Sequence, residues 1–182
     1  MPKISVIVNC YNGSRYLQDG LDSILNQTYL DWELIFWDNQ STDSSANIFL
    51  KNTDLRFKYF YAPSHTSLYE ARNLAIEKAS GEFVTFLDDD DLWEFDKLEK
   101  QLPLFNDPDV GLVYGKYIVL NEIKNKQYPM FDENLPTGWV IEKFLDRHYV
   151  GLLTIMLRRK AFDSLEKKFD NKFNVIGDFD LV

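Results

Sequence analysis

Four carboxylates stand side by side at Asp88, Asp89, Asp90 and Asp91, directly after the apolar run Phe83-Val84-Thr85-Phe86-Leu87. Adjacent carboxylates repel one another, and the most economical group to offset them is a divalent cation. The apolar run has the composition of a buried strand, and ligands of open α/β sheets bind outside the carboxyl ends of strands. Phe86, Trp93 and Phe95 flank the acidic run, which separates it from a solvated acidic tail.

Two further polar loops follow strand-like runs. Cys10-Tyr11-Asn12 follows the β-branched stretch Ile4 to Asn9, and Asp38-Asn39-Gln40-Ser41-Thr42-Asp43 follows Trp32 to Trp37. In a parallel sheet all three loops emerge on one edge. Together they offer an aromatic wall (Tyr11), hydrogen-bonding groups (Asp38, Asn39) and carboxylates (Asp88, Asp89), the parts a nucleoside and its ribose require. No GxGxxG follows the first strand and no Walker sequence is present, so neither dinucleotide nor P-loop phosphate binding is indicated.

The elements that must carry these loops alternate strand and helix four times in the first half, which predicts an α/β fold with a central, mostly parallel sheet flanked by helices. Ser14 is expected to cap a helix whose apolar face is Leu17, Leu21, Ile24 and Leu25. A short helix is expected over 44–50 and a strand over 57–61. Ser67 and Glu70 have capping-box spacing for a helix over 67–79, with Gly81 just past its end. Another helix is expected over 96–102, disturbed by Pro103, then one long strand over 110–120, a helix over 140–146 and a strand over 154–157. No internal repeat or linker interrupts the chain.

A chain of 182 residues is read as one domain. With 20 basic against 29 acidic residues its net charge is −9, which argues against nucleic-acid binding. The single cysteine, Cys10, excludes an internal disulfide and is expected to be a buried thiol. No signal peptide or membrane-span-length run is visible, so the expected location is cytoplasmic. The ending Asp178-Phe179-Asp180-Leu181-Val182 reads as the first turn of a helix cut short, so the domain is expected to be truncated at its carboxyl end. His65 and His148 have no partner at ligand spacing and are expected to be non-catalytic. Trp93, Trp139 and Tyr149 are candidates for an acceptor wall or for the core.

Ser5-Val6-Ile7-Val8-Asn9-Cys10-Tyr11-Asn12, Asp38 to Asp43, Ala71-Arg72-Asn73, and Gly81-Glu82-Phe83 through Asp91 together resemble glycosyltransferase family 2. The resemblance covers about the first 95 residues. It implies the GT-A fold, with 1–95 as the nucleotide-binding half and 96–182 as the acceptor-side half. It also implies that Asn9 and Tyr11 line a base pocket, with Asp38 and Asn39 at base and ribose. An acidic residue often stands where this chain has Asn39; an amide oxygen can also accept a ring N–H, so UDP or dTDP is the favoured donor nucleotide. Arg72 would approach the diphosphate. Asp88 and Asp90 match the family's DxD pattern, with Asp90 the direct ligand of Mn²⁺ or Mg²⁺ and Asp88 or Asp89 at the ribose or metal-bound water. Asp178 falls where the family places its general base, with Gly177 in place of a frequent Glu.

The resemblance therefore implies an inverting, metal-dependent transfer of sugar from a nucleoside-diphosphate donor to a hydroxyl acceptor. The acceptor would be a glycan or lipid-linked sugar in surface polysaccharide biosynthesis. Peripheral contact with the inner face of the membrane would come from a region beyond the carboxyl end. Two alternatives compete: a nucleotide- and metal-binding module without turnover, and a sugar nucleotidyltransferase. The latter would want a Gly- and basic-rich loop where Asn9-Cys10-Tyr11-Asn12-Gly13 stands.

Overall fold

The computed structural model describes residues 1–147, 149–166, 168–170 and 172. β1 (Ile4–Cys10) and β2 (Trp32–Asp38) are buried along their whole length, as parallel strands covered on both faces must be. β3 (Phe57–Tyr61) lies at the edge and is only partly buried. β4 (Phe83–Asp88), β5 (Leu112–Val113) and β8 (Met156–Arg158) complete a six-stranded sheet of order β3-β2-β1-β4-β8-β5. The β3-β2-β1-β4 part is parallel; β8 runs antiparallel to both β4 and β5.

This order places the site. The chain builds outward from β1 through β2 to β3, then returns to the other side of β1 with β4. The carboxyl ends of β1 and β4 therefore flank a point of reversal, where an α/β sheet opens a crevice. Of β4, only Phe83, Val84 and Thr85 pair with β8, so the acidic end of β4 runs past it with β1 as its one ladder partner.

Residue alternation along β1 divides the core. Ile7 faces one layer with Ala71, Ala75 and Ile76 of α3 (Leu68–Ile76), Phe144 of α5 (Ile141–Asp146) and Phe162 of α6 (Arg159–Asp163). Val6 and Val8 face the other with Leu17, Leu21 and Ile24 of α1 (Leu17–Leu25), Phe49 of α2 (Ser45–Leu50) and Leu98 of α4 (Lys97–Gln101). A 3₁₀ turn over Leu102–Asn106 absorbs Pro103. Among the described residues no helix is long and apolar enough to cross a membrane.

Two local expectations are corrected. The stretch 110–120 is not one strand. β5 leaves the sheet after Val113, and β6 (Ile118–Asn121) pairs instead with β7 (Lys126–Pro129) in a separate hairpin. Gly115 interrupts the run, and Tyr114 turns aside to donate its hydroxyl to the Pro136 carbonyl at 2.6 Å. Ser14 does not cap α1, which begins at Leu17; its backbone N–H donates to Asp43 at 3.0 Å. Ser67 does cap α3, accepting from the Glu70 N–H at 3.3 Å.

Gly81 also has a different reason from the helix stop expected of it. A Cβ there would lie 2.6 Å from the Ser5 nitrogen and 2.8 Å from the Ile4 carbonyl carbon, both backbone atoms of β1. Gly81→Ala must therefore push the chain off a central strand. We expect it to lower stability by about 2–3 kcal/mol, read by urea unfolding.

Lys97 supplies a pH-dependent prediction. Its amine donates to Thr85 Oγ1 (2.9 Å) and Gln101 Oε1 (2.8 Å) and lies 4.2 Å from the centre of the Trp93 ring. Burial pulls its pKa down to about 7. Between that value and the ordinary lysine range, the unfolded chain holds a proton the folded chain does not. Stability should therefore rise with pH across that window, by no more than the one-proton limit of about 1.4 kcal/mol per pH unit. Lys97→Met should flatten that rise in denaturant titrations run from pH 7 to 10.

Candidate active site

The loops after β1, β2 and β4 do meet, and a fourth loop, between β3 and α3, joins them. Asn12 is the hinge of the first two. It sits in the left-handed region (φ 58°), and its side-chain oxygen accepts the Thr42 N–H at 2.7 Å. Its own N–H donates to Ser41 Oγ at 3.0 Å. The Asp43 carboxylate gathers the N–H groups of Ser14 (3.0 Å) and Ser45 (2.9 Å). Those bonds outweigh its desolvation and hold its pKa down at about 2.

A pocket of about 440 Å³ opens between these loops. Asn9, Tyr11, Asn39, His65 and the side chains from Thr66 to Leu68 form one part of its lining; Asp88, Asp89 and Asp90 form the other. The Asn9 side-chain nitrogen is buried with no hydrogen-bond partner among the described residues. Such a donor in a pocket wall calls for an acceptor from outside the chain.

Asp38 and Arg72 lie beneath this surface rather than on it. Asp38 is fully buried; its oxygens accept from the Ser41 N–H (2.7 Å) and the Tyr59 hydroxyl (2.6 Å). Burial, with Asp38 as its partner, pushes the Tyr59 phenol far above its usual range. Arg72, also buried, spends one guanidinium nitrogen on both oxygens of Asp88, at 2.6 and 2.9 Å. Asp38 thus holds the turn that carries Asn39, and Arg72 fixes Asp88. Asp178, Gly177, Asp180 and His148 lie outside the described residues.

The four carboxylates occupy different environments. Burial, then the charges of Asp90 and Asp88, raises the Asp89 pKa, while bonds from Cys10 and the Tyr11 N–H partly oppose this. Burial, reinforced by Asp88, Asp90 and Asp89, pushes Asp91 up to about 7. Asp90 is exposed and has no hydrogen-bond or ion-pair partner among the described residues. Cys10 is buried as expected; desolvation, with Asp89 adding to it, pushes its thiol up to about 12. Gly13 lets this packing exist, because a Cβ there would fall 2.0 Å from an Asp89 carboxylate oxygen.

No three His, Cys, Asp or Glu side chains among the described residues converge on one metal position. The donor set still suits a hard cation that takes most of its ligands from elsewhere. Asp90 offers an unpaired carboxylate, and diphosphate oxygens and water would complete the shell. A second groove, of about 490 Å³, lies beyond Asp90 and is walled by Arg15, Tyr16 and the β6–β7 turn at Glu122 and Ile123. Glu122 there accepts from Arg15 (2.8 Å) and the Tyr16 hydroxyl (2.7 Å).

His65 is the pocket residue that sequence reasoning set aside. The signal was present: it lies between the end of β3 and the Ser67 cap, on a fourth loop at the same sheet edge. The groove residues Arg15, Tyr16 and Glu122 carried no signal, since Arg15 and Glu122 are 107 positions apart. Trp93 belongs to the core, donating to the Leu153 carbonyl at 2.8 Å, and Tyr149 packs beside Phe131 and Phe144. Trp139 is exposed, outside both cavities.

Comparison with known proteins agrees with this architecture. An uncharacterized glycosyltransferase of Haemophilus influenzae is 43% identical over 91% of this chain and 66% of its own length. The Escherichia coli protein WfgD, named as a UDP-Glc:α-D-GlcNAc-diphosphoundecaprenol β-1,3-glucosyltransferase, is 31% identical over 93% of this chain and 65% of its own. This chain thus spans about two thirds of the curated relatives' length. The crystal structure of S. aureus TarS residues 1–349 superposes with a TM-score of 0.79 over 98% of this chain and 53% of its own, at 24% identity, and shows the same GT-A fold. The family model described as glycosyl transferase family 2 matches residues 5–165, and the chain belongs to that family.

Proposed function

We propose that this chain carries the donor site of an inverting glycosyltransferase that takes its sugar from a nucleoside diphosphate and depends on a divalent cation. The observation that carries this reading is the pocket at the reversal point of the sheet. It joins an aromatic, hydrogen-bonding wall to a carboxylate cluster, and it contains a buried amide donor without a partner among the described residues. The nucleoside lies along Asn9, Tyr11 and the 65–68 segment, held by the Asp38/Asn39 turn. The diphosphate reaches Asp88, Asp89 and Asp90. Asp90, with a contribution from Asp88, holds Mn²⁺ or Mg²⁺, which when bound neutralises charge on the leaving diphosphate.

The acceptor hydroxyl attacks the anomeric carbon as the bond to the diphosphate oxygen breaks. The nucleoside diphosphate leaves, and the hydroxyl proton passes to a carboxylate base, Asp178. The groove beyond Asp90 receives the acceptor, because one of its walls comes from residues 120–123 of the acceptor-side half. The name of the Escherichia coli relative supports a UDP-linked donor and a lipid-linked sugar acceptor. The same reading puts the reaction at the inner face of a membrane, on the cytoplasmic side, as part of the proposal.

Calorimetric titration of UDP, dTDP, GDP and CMP, each with and without Mn²⁺, tests the donor site. Binding of one nucleoside diphosphate that strengthens at least about tenfold with Mn²⁺ is the expected result. Absence of binding under every condition would remove the reading.

A further inference from the structure

We propose that His65 selects the nucleotide by accepting the ring N–H of uracil or thymine at its outer imidazole nitrogen, Nε2. This rests on the donor-site reading above and adds the group that decides which pyrimidine is taken.

The inner nitrogen, Nδ1, lies 2.8 Å from the Asn39 carbonyl oxygen. A carbonyl only accepts, so Nδ1 carries the hydrogen. A neutral imidazole then has its lone pair on Nε2. That nitrogen has no hydrogen-bond partner among the described residues, and the ring lines the pocket. It also packs on Tyr11, with centroids 4.3 Å apart and planes at 48°. A flat wall and a fixed acceptor therefore stand together in the cavity that reaches the carboxylates.

Asn39 is otherwise engaged. Its N–H donates to the Cys10 carbonyl at 2.8 Å, and its C=O receives His65. Its side-chain oxygen accepts the Thr66 N–H at 3.1 Å, with the Thr66 hydroxyl at 3.3 Å, and its amide nitrogen donates to the Thr66 carbonyl at 2.9 Å. Meeting a ring N–H would require Asn39 to give up a latch between two loops. Asn39 positions His65 and Thr66, and His65 meets the base. Cytosine, equal in size to uracil, presents a lone pair at N3 and would face the lone pair of Nε2.

The test is calorimetry of UDP and CDP with Mn²⁺ on the wild type, His65→Phe and His65→Gln. Wild type should favour UDP by at least about tenfold, the discrimination expected of one mismatched hydrogen bond. His65→Phe keeps a flat ring but no acceptor, and its preference should fall to about twofold or less. His65→Gln restores an acceptor oxygen and should keep a preference for UDP. An unchanged UDP:CDP ratio in His65→Phe, or no discrimination by the wild type, overturns the inference and leaves the donor site standing. Failure of the wild type to bind any nucleoside diphosphate overturns the donor site itself.

Discussion

Asp90→Ala should reduce sugar transfer by about 100-fold or more while leaving the unfolding midpoint unchanged or higher. Asp90 is the exposed member of the acidic run, with no bonded partner among the described residues and a side chain bordering both cavities. No bond among the described residues depends on it. Its charge adds to those that push Asp89 and Asp91 upward, so its removal relieves repulsion. Steady-state kinetics of sugar transfer, paired with thermal unfolding, checks both halves of the prediction. A variant that keeps its metal-stimulated turnover would move the cation away from Asp90. A large fall in the midpoint would make the residue structural.

Asp88→Ala, two positions away, should behave differently and lower stability by about 3 kcal/mol. The Arg72 side chain is only 4% exposed, and Asp88 is its ion-pair partner. The rings of Tyr69 and Phe169, 5.5 and 5.6 Å away, supply some cation–π attraction but accept no hydrogen bond. Truncating Asp88 would leave a buried guanidinium without its hydrogen-bonded carboxylate, with only the longer-range attraction of Asp91. Adding Arg72→Met should recover part of the loss, because a well-packed apolar side chain does not need the carboxylate. A double-mutant cycle by urea unfolding measures that coupling. Additive effects would show that the pair contributes nothing as a pair.

Together these variants divide a motif that reads as one acidic run. Asp88 anchors the loop through Arg72 and Asp89 packs against Gly13 beside Cys10, while Asp90 keeps no bonded partner among the described residues. One residue type serves three purposes because the strand end, the β1 loop and the solvent each claim a different carboxylate.

Much of the fold was legible in the chain. Predominantly apolar runs rich in β-branched and aromatic residues at Ile4–Cys10, Trp32–Asp38 and Phe83–Asp88 read as buried strands. Their alternation with amphipathic helices dictated a parallel sheet, and a parallel sheet dictated that the polar loops share an edge. The Ser67–Glu70 cap and the buried Cys10 followed from local chemistry of the same kind. Where local pattern met a long-range demand, it failed. The 110–120 run has strand composition throughout, yet β8 offers β5 a short ladder and Gly115 lets the chain leave it. Gly81 resembles a helix stop, but its missing side chain serves a strand 76 positions earlier.

The sequence by itself determined most elements of the first half, the sheet edge where the polar loops gather, and the residue types available there, because hydrophobic period and turn chemistry are properties of neighbours along the chain. Only the tertiary structure decided which of those polar groups are tied up inside the fold. Asp38 was claimed by Tyr59, Arg72 by Asp88 and Asn39 by Thr66, partners 21, 16 and 27 positions away. Burial leaves no polar group free to wait for a ligand when a partner stands within reach, and distance along the chain does not reveal which partners the fold brings close.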